Sequence, residues 1–226
     1  MEISVSLDVA TLHGKLGPYI DEINTIPDVS FHCDVMRENF VQRHSTHLGE
    51  YEQVMKTTRH PTDVHFMAAE DVHLIREVLY MSKRLPKPRS ITFHVEAIVT
   101  MVASQHLAVI KANGIRAGIA IDLGTPVESI NPYVIKNCDV VTIMSVKAGA
   151  SGQVFNPIAI EKARDVRRIN PHVRIIMDGG INPSNIMAVR AAGVDVAVMG
   201  SFIYNMPSPA QRAQAVAKLL DMIRKR

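Results

Sequence analysis

The sequence predicts a (β/α)8 barrel in which residues 1–226 form a single domain. Short runs of β-branched residues alternate eight times with segments of helical periodicity. The length of 226 residues is one that single α/β barrels commonly reach. An open doubly wound sheet is the rival fold, but it usually has fewer strands and a glycine-rich first turn. The first turn here, Leu7-Asp8-Val9-Ala10, contains no glycine.

Eight segments are predicted to be strands because each is a short apolar run rich in β-branched residues. They are Ile3–Leu7, Val29–Asp34, Thr62–Met67, Ser90–Val95, Arg116–Ile121, Val140–Met144, Val173–Met177 and Val194–Met199. Strands separated by helices of about 10 to 15 residues form βαβ units, so we expect a parallel sheet.

The helices between these strands carry recognisable start signals. Three of them begin with a capping residue followed by proline, at Asn156-Pro157, Asn182-Pro183 and Ser208-Pro209. The segment from Arg37 to Gly49 lacks such a pattern, and we expect it to be a loop at the barrel mouth. The first helix has one apolar face at a 3.6-residue period, formed by Leu12, Leu16, Tyr19, Ile20 and Ile23.

Composition limits the functional classes. Lys and Arg total 25 against 22 Asp and Glu, a formal net charge of +3, and the basic residues are spread along the chain. This charge suits a small anionic substrate, and we expect no nucleic-acid partner. No apolar run approaches the roughly 18 residues that cross a bilayer, and no secretory signal is recognisable, so we expect no membrane partner and a cytoplasmic location. Cys33 and Cys138 lack metal-binding or redox spacing and are expected to be reduced, buried thiols.

Polar residues at strand ends indicate a metal site. In a (β/α)8 barrel, the active site lies where the strands end. The second strand ends with His32 and Asp34, which are two residues apart and therefore point to the same side. His65 lies near the end of the third strand, and Asp178 follows the seventh. Two imidazoles and two carboxylates can bind Zn²⁺, Fe²⁺, Mn²⁺ or Co²⁺, and sequence does not choose among these ions.

Glycines after the last strands indicate a phosphate site. Gly179-Gly180 follow the seventh strand, and Gly200-Ser201 follow the eighth. In this fold, the loops at these positions often bind phosphate, since glycine lets backbone N–H groups approach an anion. The loop from Ser145 to Gln153, after the sixth strand, is small and flexible enough to fold over a ligand.

Nine stretches of the chain form a specific set in order and spacing. They are Ser6 within Ile3–Leu7, His32–Met36, Asp63–Met67, His94–Ala97, Thr125–Glu128, Met144–Val146, Gly152-Gln153, Asp178–Asn182 and Gly200-Ser201. Over nearly the whole chain, this set resembles the ribulose-phosphate 3-epimerase family. The resemblance implies a TIM barrel of the ribulose-phosphate-binding type and a metal-dependent ketose-phosphate 3-epimerase, an isomerase of carbohydrate metabolism and the pentose phosphate pathway. We expect a homodimer or a higher homo-oligomer.

The resemblance also implies roles for individual residues. It implies one divalent metal ion held by His32, Asp34, His65 and Asp178, with Asp34 and Asp178 as the acid–base pair. Ser6 and His65 would lie at the substrate. The phosphate contacts and the cover of the site would come from Gly149, Ala150, Ser151, Gly152, Gly179, Gly180, Gly200 and Ser201.

The reaction explains the need for two carboxylates. Epimerisation next to a carbonyl removes a weakly acidic C–H proton and forms a planar enediolate, whose charge a metal ion stabilises. One carboxylate then removes a proton, and the other returns one to the opposite face. Strands two and seven stand apart around the ring, so Asp34 and Asp178 can flank a ligand.

The chain departs from the family's usual pattern in the segments that enclose the substrate. Met36 is followed by Arg37 to Arg43 where the family usually has Asp-Gly and then Phe-Val-Pro-Asn, and Lys147–Gln153 replaces the usual Asn-Pro-Gly-Phe-Gly-Gly-Gln. D-ribulose 5-phosphate is the expected substrate. A hexulose 6-phosphate such as D-allulose 6-phosphate is the alternative, and a sugar-phosphate-binding barrel without catalysis is a third hypothesis.

Overall fold

The computed structural model describes residues 1–42, 45, 47–69 and 72–224. The strands are β1 (Glu2–Ser6), β2 (Val29–Met36), β3 (Thr62–Met67), β4 (Ser90–His94), β5 (Arg116–Ile121), β6 (Val140–Met144), β7 (Arg174–Asp178) and β8 (Val196–Met199). Each strand pairs in parallel with the next, and β1 also pairs with β8, which closes a barrel of eight strands within these residues. The predicted (β/α)8 fold is confirmed, and each predicted strand lies within two residues of its observed bounds.

Helices cover the outside of the barrel. They are α1 (Asp8–Leu12), α2 (Leu16–Ile23), α3 (Leu48–Thr57), α4 (Val72–Met81), α5 (Thr100–Ala112), α6 (Pro132–Lys136), α7 (Ile158–Ile169), α8 (Ile186–Ala191), α9 (Ser201–Tyr204) and α10 (Pro209–Arg224). Short 3₁₀ helices cover Val95–Ala97 and Val127–Ser129. No helix in this described part of the chain is long and apolar enough to span a bilayer.

Local side-chain bonds explain where several helices begin. The Asn156 side chain accepts a hydrogen bond from the Ile158 N–H at 3.1 Å, as its predicted capping role requires. At the next predicted start, the Asn182 side chain accepts from the Ser184 N–H at 2.9 Å and forms a turn, so α8 begins only at Ile186. The α10 helix begins at Pro209 as predicted.

The predicted loop from Arg37 to Gly49 is too long at its C-terminal end. The α3 helix begins at Leu48, because the Glu50 carboxylate accepts a hydrogen bond from the His47 N–H at 2.6 Å and stabilises the first turn. Positions 43, 44 and 46 of this segment, among them His44, lie outside the described residues. Ser45 forms an antiparallel bridge with Met36, so the segment folds back onto the end of β2.

Two groups of side chains, one apolar and one charged, fill the barrel interior below the C-terminal ends of the strands. On the side of β6 to β8, Val140, Ile176, Val196 and Val198 form a small apolar cluster. On the opposite side, the Arg89 guanidinium binds the Asp63 carboxylate, the Glu2 carboxylate at 2.6 Å and the Ser30 hydroxyl at 3.1 Å. These groups fill the barrel interior below the C-terminal ends of the strands, and Val198 also borders the cavity at those ends.

The thiol prediction agrees with the structure, whereas one histidine does not lie at the surface as its sequence context suggests. Cys33 and Cys138 are both buried, and neither is part of a disulfide. From sequence alone, His106 is predicted to lie at the surface. In the structure it is 7% exposed, and its ring packs edge-on against Phe93 with the ring centroids 5.3 Å apart. The apolar face of α5 includes His106, together with Ala103, Leu107 and Ile110.

Candidate active site

Strand register brings the predicted ligands together at the C-terminal mouth of the barrel. Asp34 of β2 stands opposite His65 of β3, and Ser6 of β1 stands opposite His32. Asp178 ends β7 on the other side of the ring. One ligand atom from each of His32, Asp34, His65 and Asp178 lies within 4.8 Å of the others. The structure therefore clusters the four residues that the sequence singled out.

The donor atoms of this cluster have the spacing and chemistry of a divalent metal site. The Asp34 Oδ1 atom lies 3.1 Å from His65 Nδ1 and 3.2 Å from His32 Nε2, and His32 Nε2 lies 3.9 Å from Asp178 Oδ2. Ligand atoms about 2.0–2.2 Å from a tetrahedral zinc ion stand about 3.4 Å from one another. Both ring nitrogens of His32 are buried and have no hydrogen-bond partner among the described residues. A buried imidazole left without a partner beside two carboxylates fits a metal ligand.

The two carboxylates of the cluster differ in proton affinity. Burial favours the neutral acid at both positions. For Asp34, attraction to His32 and the close ring nitrogens of His32 and His65 outweigh burial and hold its pKa well below the usual range. For Asp178, burial together with the negative charge of Asp34 raises the pKa to about 7.

The pKa values of the two histidines of the cluster, His32 and His65, are also shifted in opposite directions. Burial opposes the charged form of His32, but the neighbouring Asp34 carboxylate outweighs it and raises the pKa of His32 to about 9. Burial and the nearby His94 ring lower the pKa of His65 to about 4, although Asp34 acts in the opposite direction. His65 is therefore neutral at pH 7, which is the form that binds a metal.

One narrow cavity lies above the cluster. Of the four clustered residues, Asp34 and Asp178 line it, while His32 and His65 are fully buried behind its wall. The remaining predicted site residues all border the same cavity. They are Ser6, Gly149, Ala150, Ser151, Gly152, Gly179, Gly180, Gly200 and Ser201.

The glycines after β7 are required by close packing. Gly179 and Gly180 have φ values of 116° and 61°, which side-chain-bearing residues rarely adopt. A Cβ atom on Gly180 would lie 2.5 Å from the backbone nitrogen of Phe155, and one on Gly179 would lie 2.4 Å from the Val146 side chain. This turn therefore brings the loop after β6 directly against the loop after β7, at the predicted phosphate position.

The loop after β6 is held over the cavity by its own contacts. The Gln153 amide donates to the carbonyls of Lys147 and Ala150 at 2.7 and 2.8 Å. The Ala148 N–H donates to the Asp122 carboxylate at 3.0 Å. Gly149 packs so closely on Val41 that an added Cβ would lie 2.7 Å from the Val41 Cβ. The segment after β2 and the loop after β6, both of which depart from the family's usual sequence, therefore contact each other.

Sequence reasoning missed several residues of this site. Asp8 lines the cavity and accepts a hydrogen bond from the Ser45 hydroxyl at 2.8 Å. His94, which belongs to one of the nine stretches that carry the family resemblance but was given no role, is fully buried, and its Nε2 lies 3.1 Å from the Nε2 of His65. The signal for His94 was present, since it ends β4 and is followed two residues later by Glu96. Three methionines at strand ends also line the cavity, Met36, Met67 and Met144.

Comparison with known proteins agrees with this site. The sequence profile of the Ribulose-phosphate 3 epimerase family matches residues 2–204. Ribulose-phosphate 3-epimerase of Escherichia coli K12 is 33% identical over 189 residues, 78% of this chain and 77% of that protein. The Helicobacter pylori 26695 enzyme of the same name is 34% identical over 188 residues, 81% and 83% of the two chains. The cytoplasmic isoform of rice is 31% identical over 193 residues, 84% and 82%.

Solved structures support the fold alone. A mutant tryptophan synthase alpha-subunit from Pyrococcus furiosus superposes with a TM-score of 0.70 at 13% identity, covering 97% of both chains. N-(5'-phosphoribosyl)anthranilate isomerase from the same organism gives a TM-score of 0.60 at 13% identity, covering 98% of this chain and 99% of that one. The match across the chain, together with relatives more than 30% identical, shows that this protein belongs to the ribulose-phosphate 3-epimerase family of isomerases.

Proposed function

We propose that this protein interconverts D-ribulose 5-phosphate and D-xylulose 5-phosphate by inverting C3, and that it requires one divalent metal ion. The observation that carries the proposal is the pair formed by Asp34 and Asp178. These carboxylates come from different parts of the strand ring and line one cavity. The opposite shifts of their pKa values favour an ionised Asp34 and a largely protonated Asp178 in the metal-free protein near neutral pH.

Inversion at C3 needs one carboxylate that takes a proton and one carboxyl group that gives a proton from the opposite face. With a ketose between them, the ionised Asp34 takes the C3 proton from one face of the sugar. The protonated Asp178 then gives a proton to C3 from the other face, and the reverse reaction exchanges the two roles.

The remaining roles follow from position. His32, Asp34, His65 and Asp178 would hold the metal ion, which acts as a Lewis acid when bound and stabilises the negative charge of the enediolate. The Ser6 hydroxyl, which donates to Asp34 at 3.2 Å, is placed to contact a substrate hydroxyl. The glycine turn at Gly179-Gly180, with Gly200 and Ser201, would bind the phosphate and orient C3 between the carboxylates.

Three features of the protein as a whole stay predictions. The closed barrel uses residues from Glu2 to Met199, which supports one domain over residues 1–226. The cytoplasmic location and the homo-oligomer predicted from sequence are retained as part of the proposal. Sedimentation of the purified protein would measure the oligomeric state directly.

The direct test is turnover by metal-loaded protein. We expect D-ribulose 5-phosphate to be converted to D-xylulose 5-phosphate, with loss of turnover after chelation and recovery when a divalent metal is restored. D-allulose 6-phosphate should be turned over with a lower kcat/KM. Faster turnover of D-allulose 6-phosphate would show that the six-carbon sugar is the better substrate. Turnover of neither sugar would favour a sugar-phosphate-binding protein without catalysis.

A further inference from the structure

A chain of hydrogen bonds leads from the metal cluster to the loop after β5. His65 Nε2 lies 3.1 Å from His94 Nε2, and His94 Nδ1 lies 2.9 Å from Glu96 Oε2. The other carboxylate oxygen of Glu96 accepts a hydrogen bond from the Asp122 N–H at 2.8 Å. Both histidine side chains are fully buried, so no water competes for these bonds. The proposed reaction assigns no role to His94 or Glu96.

The direction of each bond follows from the chemistry of its partners. A backbone N–H can only donate, so Glu96 Oε1 is an acceptor. Burial raises the pKa of Glu96, but bonds from His94, Thr125 and Asp122 outweigh it and lower the pKa to about 2. The ionised carboxylate has no proton to donate, so Glu96 Oε2 must accept from the His94 Nδ1–H. In the tautomer of His94 that carries its only proton on Nδ1, the lone pair is on Nε2.

The same logic fixes the neighbouring imidazole. When a metal ion is bound at His65 Nδ1, the proton of His65 is on Nε2, which lies 3.1 Å from His94 Nε2 and donates to it. The lone pair of neutral His65 is then on Nδ1, which faces Asp34 Oδ1 at 3.1 Å. A lone pair and a carboxylate oxygen repel each other at this distance unless a cation lies between them.

We propose that Glu96 is a positioning residue for the metal site, acting through His94 to hold His65 in the tautomer whose Nδ1 lone pair faces the metal. This inference rests on the metal site of the proposed function and not on the identity of the sugar. Outer-shell carboxylates commonly orient a ligating histidine, and their loss typically costs 10–100-fold in metal affinity or activity. Here a second histidine transmits the effect.

Glu96→Gln discriminates between packing and hydrogen bonding, because glutamine keeps the side-chain shape of Glu96 but replaces one acceptor oxygen with an NH₂ donor. The amide oxygen must accept from the Asp122 N–H, which turns the NH₂ group towards His94 Nδ1. His94 must then accept at Nδ1 and carry its proton on Nε2, so His65 must accept at Nε2 and carry its proton on Nδ1. The variant thereby places a proton where the metal should bind. Glu96→Ala removes the constraint without imposing this opposite pattern.

The experiment measures zinc affinity by competition with a chelator, together with ¹⁵N-histidine NMR of the zinc-loaded protein. In the wild type we expect protons on His65 Nε2 and His94 Nδ1. We expect Glu96→Gln to weaken zinc binding roughly 10–100-fold, more than Glu96→Ala does, while its thermal unfolding stays close to wild type. Glu128→Gln, at an exposed acidic position on the 3₁₀ helix after β5, is the matched control and should bind zinc like the wild type.

The outcomes separate this inference from the proposed function. A zinc-loaded wild type with its proton on His65 Nδ1 would overturn the inference, as would a Glu96→Gln variant that binds zinc at wild-type affinity. A larger loss in Glu96→Ala than in Glu96→Gln would show that Glu96 acts through packing and would also overturn it. A wild type that binds no divalent metal would instead overturn the metal site itself.

Discussion

Asp34 and Asp178 each place one oxygen in a cluster less than 5 Å across, yet their pKa values are shifted in opposite directions. Asp34 contacts two histidines, at 3.2 and 3.1 Å, and keeps its negative charge. Asp178 contacts His32 only at 3.9 Å and is buried beside the charge of Asp34, which favours its neutral form. Two carboxylates in unequal environments provide one base and one acid, as inversion at a single carbon requires.

The first prediction concerns the two faces of the sugar. Asp178→Asn removes one acid–base group and leaves Asp34 in place. We expect this variant to lose net inversion by at least about a hundredfold. It should still exchange the C3 proton of one epimer with solvent, because Asp34 still reaches one face. Deuterium uptake at C3, followed by NMR separately for each epimer, measures this.

Metal content must be measured in the same samples, since Asp178 is also a proposed ligand. Exchange of both epimers at wild-type rates in the variant would contradict the two-base scheme. Exchange of neither, with metal still bound at wild-type occupancy, would show that Asp34 does not act alone as a base.

The second prediction is the pH dependence of metal uptake by the metal-free protein. His32, with its pKa raised to about 9, and Asp178, with its pKa raised to about 7, must both lose protons before they bind a metal. Each proton released makes the affinity rise about tenfold per pH unit below the corresponding pKa. Zinc affinity should therefore rise by up to about two powers of ten from pH 6 to 7 and more gently from pH 7 to 8.

Chelator competition at pH 6, 7 and 8 measures this slope. His65→Ala is the companion variant and should lower the metal content at every pH, because it removes one donor. A pH-independent affinity over this range would contradict the protonation states described for His32 and Asp178.

The fold and the metal cluster were predictable because both depend on the pattern of apolar and polar residues within short sequence segments. The alternation of strand and helix segments predicts the barrel, and in a parallel barrel residues at strand ends meet. His32 and Asp34 also lie two residues apart on one strand, so their common direction needs no knowledge of the rest of the fold.

Contacts that depend on loop paths were not predictable. Ser45 reaches Asp8 only because the segment after β2 folds back in an antiparallel bridge to Met36. The contact of Val41 with Gly149 joins loops more than 100 positions apart in sequence, and no periodicity encodes it. His106 reads as polar in sequence, whereas its helix turns it towards Phe93.

The third prediction concerns the loop over the cavity. Gly149→Ala introduces a Cβ 2.7 Å from the Val41 Cβ, at a φ of 101° that alanine rarely adopts. We expect the loop to move from its present position at a cost of about 1–2 kcal/mol. The KM for the sugar phosphate should rise roughly 5–30-fold in steady-state kinetics.

Gly49→Ala is the matched control for this variant. Gly49 lies in the first turn of α3, has no positive φ, and an added Cβ would meet no atom within 4 Å. Its KM should equal that of the wild type, and its stability should increase slightly because alanine favours the helix. An unchanged KM in Gly149→Ala would show that the contact with Val41 does not hold the loop over the substrate.

The fourth prediction concerns the floor of the barrel. Asp63 is 1% exposed and binds both Arg89 and the Ser90 hydroxyl. Asp63→Asn leaves the guanidinium of Arg89 with one carboxylate fewer in a largely buried setting. We expect the free energy of unfolding to fall by about 3–5 kcal/mol in chemical denaturation, as for a broken buried ion pair.

Two further measurements sharpen this prediction. Asp28→Asn breaks an ion pair to Arg224 whose side chains are 61% and 57% exposed, so it should cost less than about 1 kcal/mol. Burial opposes the charged form of Asp63, but Arg89 outweighs it and lowers its pKa. Its contribution is therefore full above the unfolded-state pKa and is lost as pH falls through the lower folded-state pKa. If Asp63→Asn and Asp28→Asn lowered the free energy of unfolding equally, the stabilising role of the buried pair of Asp63 and Arg89 would be contradicted.

The most direct test of the two-carboxylate site is the position of the label when metal-loaded wild-type protein converts D-ribulose 5-phosphate in D₂O. We expect D-xylulose 5-phosphate with one deuterium at C3 and none at C1, because the proton removed on one face is replaced on the other by a solvent-exchangeable carboxyl group. Product with hydrogen retained at C3, or with deuterium at C1, would contradict proton transfer by Asp34 and Asp178 at C3.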